Sequence, residues 1–278
     1  GGTVGGMVAA GLSGPARASV GAVRDYVLGL QLLNGRGELL SFGGQVMKNV
    51  AGYDLSRLMA GAWGTLGVIT EVSLKVLPVA PAEATLKFEC SQAEALQRLN
   101  AWGGQPLPLN ASCWVEDAGV GTLYLRLRGA AAAVEAACRT LGGERQDSAA
   151  AAKDWDACRD QQLPWFVDRP PSECLWRLSV PQTAPVLALP AGMGAPLVEW
   201  HGGQRWVKAG PAHSVALRQT AANAGGYATL FRANNDPLTM EIPRFEPLKS
   251  PLDRIHRRLK AEFDPAGIFN HGRLGAGF

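Results

Sequence analysis

The chain has 278 residues, of which 47% are apolar and 18% charged, with a formal charge of +3. Its mean hydropathy is near zero. That is enough apolar chain for a large domain or two smaller ones, and too hydrophobic and too weakly charged for intrinsic disorder. So small a net charge gives no case for nucleic acid, and apolar runs of about seven residues such as Val27–Leu33 fall far short of the ~20 a spanning helix needs. No signal peptide is visible, and a start at Gly1-Gly2-Thr3 instead of Met makes the chain read as a fragment. Five cysteines without a CxxC pair argue against a disulfide framework or a zinc knuckle and read as buried thiols in a reducing cytosol.

Sixteen of the 34 glycines fall in the first 80 residues, and Pro78 and Pro81 then mark a domain boundary at about residue 80. Within that stretch, Tyr26–Leu33 reads as a strand, Asn34-Gly35-Arg36-Gly37 as a turn and Glu38–Phe42 as the return strand. Asp54–Ala60 reads as a short helix capped by Asp54 and ended by Gly61. Val68–Leu77 alternates as a strand with one buried face. Beyond residue 80, strands are expected at Ala84–Cys90, Ala111–Glu116, Thr122–Arg128, Leu175–Val180, Pro196–Trp200, Arg205–Lys208 and Tyr227–Arg232. Helices are expected at Ser91–Trp102, Ala130–Leu141, Ala149–Gln161, His213–Ala224 and, amphipathic, Ser250–Phe263. The order strand–helix–strand–strand–helix over 84–141, with a partial repeat over 175–232 whose first helix is hard to find, suggests two ferredoxin-like units sharing one antiparallel sheet with helices on one face. The fold class is α+β.

No P-loop, GxGxxG following a strand, GxSxG, HExxH or paired metal-ligand spacing occurs, and no metal site is expected. The four histidines, His201, His213, His256 and His271, lie far apart in the chain. What remains is glycine. Gly2-x-x-Gly5-Gly6, then Gly11-Leu12-Ser13-Gly14, reads as turns whose backbone N–H groups can hold an anion or a cofactor edge. Gly61-x-x-Gly64-x-x-Gly67 is a second place where backbone could meet a flat ligand.

Taken in order, GGTVGGMVAAGLSGP, VRDYVLGLQLLNGRGELLSFGG and MKNVAGYDLSRLMAGAWGTLGVITEVSLKVLP resemble the FAD-binding domain of the vanillyl-alcohol oxidase (PCMH) type, and within it the FAD-binding (E) subunits of bacterial glycolate oxidase. The closing FDPAGIFNHGRL is similar to the tail motif of that family. The resemblance covers residues 1–80 and 262–274. It implies that 1–80 is the second lobe of the flavin domain, 81–248 a cap, and 249–278 a helix and tail that return to the flavin. Gly2, Thr3, Gly5, Gly6, Gly11, Ser13, Gly14 and Gly67 would then border the cofactor. Of these, Gly11, Ser13 and Gly14 would lie along the flavin and ribityl chain. Val68, Ile69 and Thr70 would meet the adenosine end, Asn270 would sit on the ring side, and Asp25 would buttress its loop.

Two departures temper this. The preceding lobe of the family, with its pyrophosphate loop, would lie before Gly1, so the chain is expected to bind FAD weakly or not at all. The related catalytic subunits carry a His-rich metal and base motif, for which this chain offers only His201-Gly202-Gly203, and His271 stands where the tail motif usually has proline. By residue type alone, oxidation of a 2-hydroxy acid would ask His201 to act as base and Arg177, Arg205 or Arg232 to clamp the carboxylate. The expected role is the FAD subunit of a glycolate oxidase complex, cytoplasmic or held at a membrane by its partners, working with a sister flavoprotein and an iron–sulfur subunit. The alternatives are a non-catalytic assembly subunit of that complex and a flavin dehydrogenase acting on another 2-hydroxy acid.

Overall fold

The computed structural model describes residues 2–44, 53–117 and 119–275. In chain order these form α1 (Val4–Ala10), α2 (Arg17–Val20), β1 (Val27–Leu33), β2 (Leu39–Gly43), α3 (Leu55–Leu58), β3 (Val68–Leu74), β4 (Ala82–Glu89), α4 (Gln92–Gly103), β5 (Leu109–Asp117) and β6 (Val120–Gly129). There follow α5 (Ala131–Leu141), β7 (Glu144–Arg145), α6 (Ser148–Asp160), α7 (Pro164–Val167), β8 (Cys174–Ser179), β9 (Leu197–Glu199), β10 (Gln204–Ala209), α8 (Ser214–Asn223), β11 (Tyr227–Arg232), α9 (Pro237–Met240) and α10 (Leu252–Phe263). Residues 1–13, 21–78 and 247–278 pack as one unit, and residues 14–20 and 79–246 as another. Residues 14–20, read from sequence as part of the flavin lobe, thus belong with the second unit. Among the described residues no helix is long and apolar enough to cross a membrane.

The first unit is a three-stranded sheet, order β2-β1-β3, over a core of Val8, Val27, Leu30, Leu32, Met59, Leu66 and Phe263. Its glycine-rich opening is a helix, not the series of turns expected. Thr3 caps α1 by accepting the Gly6 N–H at 3.0 Å, and Gly11 ends it at φ 61°. Seven residues cannot hold a helix alone, so the fully buried Val8 and the tertiary packing must. Strand β3 also departs from expectation, because none of its residues is buried. A bulge sets Gln31 opposite Glu71 but Leu32 opposite Ile69, leaving Thr70 unpaired. The strict alternation is thereby lost, and Ile69, Val72 and Leu74 are the β3 residues that pack on the core.

A buried clasp ties the tail into this unit. Lys260 Nζ donates to Asp264 Oδ2 at 2.5 Å, to the Thr65 carbonyl at 2.7 Å and to the Phe269 carbonyl at 2.8 Å. The Asp264 carboxylate accepts the backbone N–H groups of Ile268 and Phe269 at 3.0 and 2.9 Å. Burial alone would raise the Asp264 pKa, but the Lys260 bond and the two backbone donors outweigh it and leave it lowered.

The second unit is built on an eight-stranded antiparallel sheet, order β11-β8-β10-β9-β5-β6-β4-β7. Numbering the strands of each half in sequence, both halves follow 4-1-3-2, the ferredoxin-like order, and they join where β5 pairs with β9. In the second half no helix connects β8 to β9. Residues 180–196 carry Pro181, Pro185, Pro190 and Pro196, at spacings that break any helix, and pack Leu187, Leu189 and Met193 on the core instead. The helices do not share one face as expected. Leu86, Leu125, Trp176 and Val207 face α4, α5 and α8, whereas Ala111, Cys113, Leu175 and Trp206 face α6 and α7 on the opposite side. All five cysteines are free thiols, four of them buried.

Candidate functional site

In the first unit most of the expected cofactor glycines face the chain itself. A Cβ on Gly5 would lie 3.3 Å from the Ile69 carbonyl, one on Gly11 2.8 Å from Gly61 Cα, and one on Gly67 2.6 Å from the Leu33 carbonyl. These glycines let α1, the Gly61 turn and β1 approach closely. Ser13 Oγ accepts the Val23 N–H at 3.3 Å, and Asp25 Oδ2 accepts the Ala22 N–H at 2.8 Å, buttressing that loop. Asn270 donates to the Trp63 carbonyl at 2.7 Å, and Arg273 lies over the Trp63 ring. Gly2 and Gly61 face open space, and Gly6 faces the Thr3 hydroxyl. Gly14 lies in the second unit, where a Cβ would meet Arg159. Most of the KNVAGYDL motif, residues 48–52, lies outside the described residues.

As a flavin cradle, this surface fits the ring better than the diphosphate. Val4, Met7, Leu12 and Val68 are half-exposed apolar groups, and β3 is an edge strand of the described sheet with backbone free to pair. None of the expected contact residues is cationic. A cavity of about 500 Å3 lies between the Leu58–Leu66 stretch and the α10 helix with its tail, lined by Arg24, Arg57 and His256 among others.

In the second unit, His201 sits in a 3-10 turn at φ 53° after β9. Ser112 Oγ accepts its backbone N–H at 3.0 Å and contacts its Nδ1 at 3.0 Å, while Nε2 meets Ser19 Oγ at 2.9 Å. Burial pushes its pKa down to about 4, so the ring is neutral at pH 7. Segment 14–20 is pinned alongside: Trp200 Nε1 donates to the Gly14 carbonyl at 3.0 Å, and the Arg17 guanidinium lies 4.5 Å from the Trp200 ring centre. Arg17 is also close enough to Arg177 for its charge to disfavour a second cation, and that repulsion adds to burial in lowering the Arg177 pKa. Arg177 stacks on Phe231 at 5.6 Å, and its buried Nε has no partner. Arg232 donates to Gln161 at 2.8 Å.

The three arginines proposed as clamps do not converge. Arg177 pairs across the sheet with Trp206 and Thr229, on the α6–α7 side. Arg205 pairs with Val198 and points to the other side, 1% exposed, donating only to the Ala184 carbonyl at 3.2 Å. Burial lowers its pKa to about 10. Strand parity carries the separation of Arg177 from Arg205. Sequence reading missed Arg17, Ser19 and Ser112. The parity of Ser112 within β5 was readable, but no local pattern announces that 14–20 docks on residues some 180 positions later. Among the described residues no three His, Cys, Asp or Glu side chains gather as a metal site.

No family model matches the chain. Over 274 residues, 99% of its length, it is 46% identical to the glycolate oxidase subunit GlcE of Escherichia coli strain K12, covering 72% of that protein. The chain belongs to the GlcE family. Shorter likenesses link this GlcE-family chain to other proteins as well. It is 40% identical over 84 residues to the glycolate oxidase subunit GlcD of Bacillus subtilis, spanning 18% of that protein. It is 45% identical over 76 residues to a D-lactate dehydrogenase of Anaerostipes hadrus, spanning 16% of it. The fold is shared with alkyldihydroxyacetonephosphate synthase: at 16% identity the TM-score is 0.56, over 96% of this chain and 57% of the synthase.

Proposed function

We propose that this GlcE-family chain is the FAD-carrying subunit of a complex that oxidises a small 2-hydroxy acid of the glycolate class and passes electrons to an iron–sulfur partner beside a sister flavoprotein. The observation that carries this reading is the near full-length likeness to GlcE. FAD, when bound, supplies the hydride acceptor. The half-exposed apolar edge of α1 would lie along the ring, with Gly2 and Gly61 leaving it room, and Val68 of β3 would lie toward the adenosine end. With no cation among these residues, the chain by itself would hold FAD weakly, and a flavin that stayed with the isolated chain through gel filtration would contradict this.

Arg177, assisted by Arg17, would hold the substrate carboxylate through its guanidinium, which has no carboxylate partner among the described residues. Arg205 is proposed no further as a clamp, since it faces the other side of the sheet. His201 fits a positioning role better than that of a base: both ring nitrogens are engaged by hydroxyls, and a pKa of about 4 leaves little drive to take a proton. That same observation favours the second reading, an assembly subunit whose sister flavoprotein does the oxidation. In the reconstituted complex, Arg177→Gln should cut glycolate-dependent dye reduction by at least ~30-fold in kcat/KM, mostly through KM. Unchanged kinetics for this variant would transfer the chemistry to the sister subunit.

A further inference from the structure

The second unit contains a cavity of about 430 Å3, lined by residues of the sheet, α6, α7 and the segments leading into them, and none of the groups assigned above to flavin or substrate lines it. Tyr124, Trp155 and Trp165 form aromatic walls, and Cys113 and Cys158 also line it. The Cys158 thiol donates to the buried Glu199 carboxyl behind this lining, which also accepts from Gln204 and Trp206. Hydrogen bonding to Cys113 and burial push the Cys158 thiol well above its ordinary pKa, which keeps it neutral.

The charged residues of the lining are all acidic: Glu116, Asp147 and Asp154, each exposed. No lysine, arginine or histidine lines the cavity. Two cations do touch its walls from outside the lining. Arg126 lies 4.8 Å from the Trp155 ring and is bonded to Asn110, and Lys208 lies 4.8 Å from the Trp165 ring. Each occupies one face of its indole, so a bound cation would meet the remaining aromatic surface and the carboxylates of the lining.

We infer that this cavity is a binding site for an organic cation, an ammonium group carried on an aromatic or compact alkyl body. Aromatic faces attract such a cation and the apolar lining covers its body, while the three carboxylates add the opposite charge. The volume lies in the range of small-molecule sites. The same carboxylates disfavour a 2-hydroxy acid, and the site is independent of the substrate reading and stands whether or not that reading does.

The test is calorimetric titration of the whole chain with benzyltrimethylammonium and, as its charge-reversed counterpart, phenylacetate. The expected result is one saturable site for the cation, little or no binding of phenylacetate, and no displacement by glycolate. Glu116→Gln and Asp154→Asn change exposed side chains and should leave the melting temperature in place, while together weakening the cation about fivefold. Absence of saturable cation binding, equal binding of phenylacetate, or an affinity untouched by the double substitution would each overturn the assignment.

Discussion

Lys260 in the first unit and Arg205 in the second are both nearly inaccessible, at 6% and 1% exposure, yet their surroundings differ. Lys260 has a carboxylate and two carbonyls as acceptors. Arg205 has one carbonyl, and its Nε and Nη1 have no partner. A buried charge that is paired and fully bonded acts as a clasp, whereas one left half-satisfied costs stability where it sits. The first unit thus spends its buried charge on closing the tail over the Thr65 turn. The second keeps cations at Arg177 and Arg205 without counter-ions, on opposite faces of its sheet.

The largest expected effect lies on the clasp. Lys260→Met leaves Asp264 charged and buried with only backbone donors, and should cost about 3–5 kcal/mol in denaturant unfolding. A loss below ~1 kcal/mol would mean the clasp is incidental. Next is the pH dependence tied to His201. Its folded pKa of about 4 lies below the ordinary 6.5, so the unfolded chain binds more protons between these values. Stability from this group is therefore complete above pH 6.5 and falls by about 3 kcal/mol as the pH drops through 4. His201→Gln should flatten that part of the pH–stability curve, and an unchanged curve would refute the buried neutral histidine. Gly11→Ala should cost about 2 kcal/mol, since it forces alanine to φ 61° with its Cβ 2.8 Å from Gly61 Cα. The smallest effect belongs to Arg205. Replacing it by Met removes a half-bonded cation for an apolar chain of similar length, and should be neutral or stabilising by ~1 kcal/mol. A destabilisation as large as that of Lys260→Met would erase the contrast between the two units.

Sequence alone determined most elements beyond residue 80, because their signals are local. Alternating apolar residues mark β4, β6 and β8, the Ser91–Glu94 capping box starts α4, and glycine follows α5. The ferredoxin-like order was legible for the same reason, although the first helix of the second half, hard to find in the sequence, is absent from the structure, where the prolines of 180–196 forbid it. The family was legible from the glycine-rich and FDPAGIFN motifs. The likeness to GlcE bears it out. Tertiary structure alone decided the rest. Whether Gly5, Gly11 and Gly67 face a ligand or the chain depends on which distant backbone they meet, and residue type is silent on that. The bulge at Thr70 changes which β3 residues reach the core, because a period of two survives only while pairing advances one residue for one. The site around His201 exists because Ser19 and Ser112 reach one imidazole across 182 and 89 positions. Local propensity has no term for such a contact. It forms when the packed sheet and the segment docked on it bring the three side chains together.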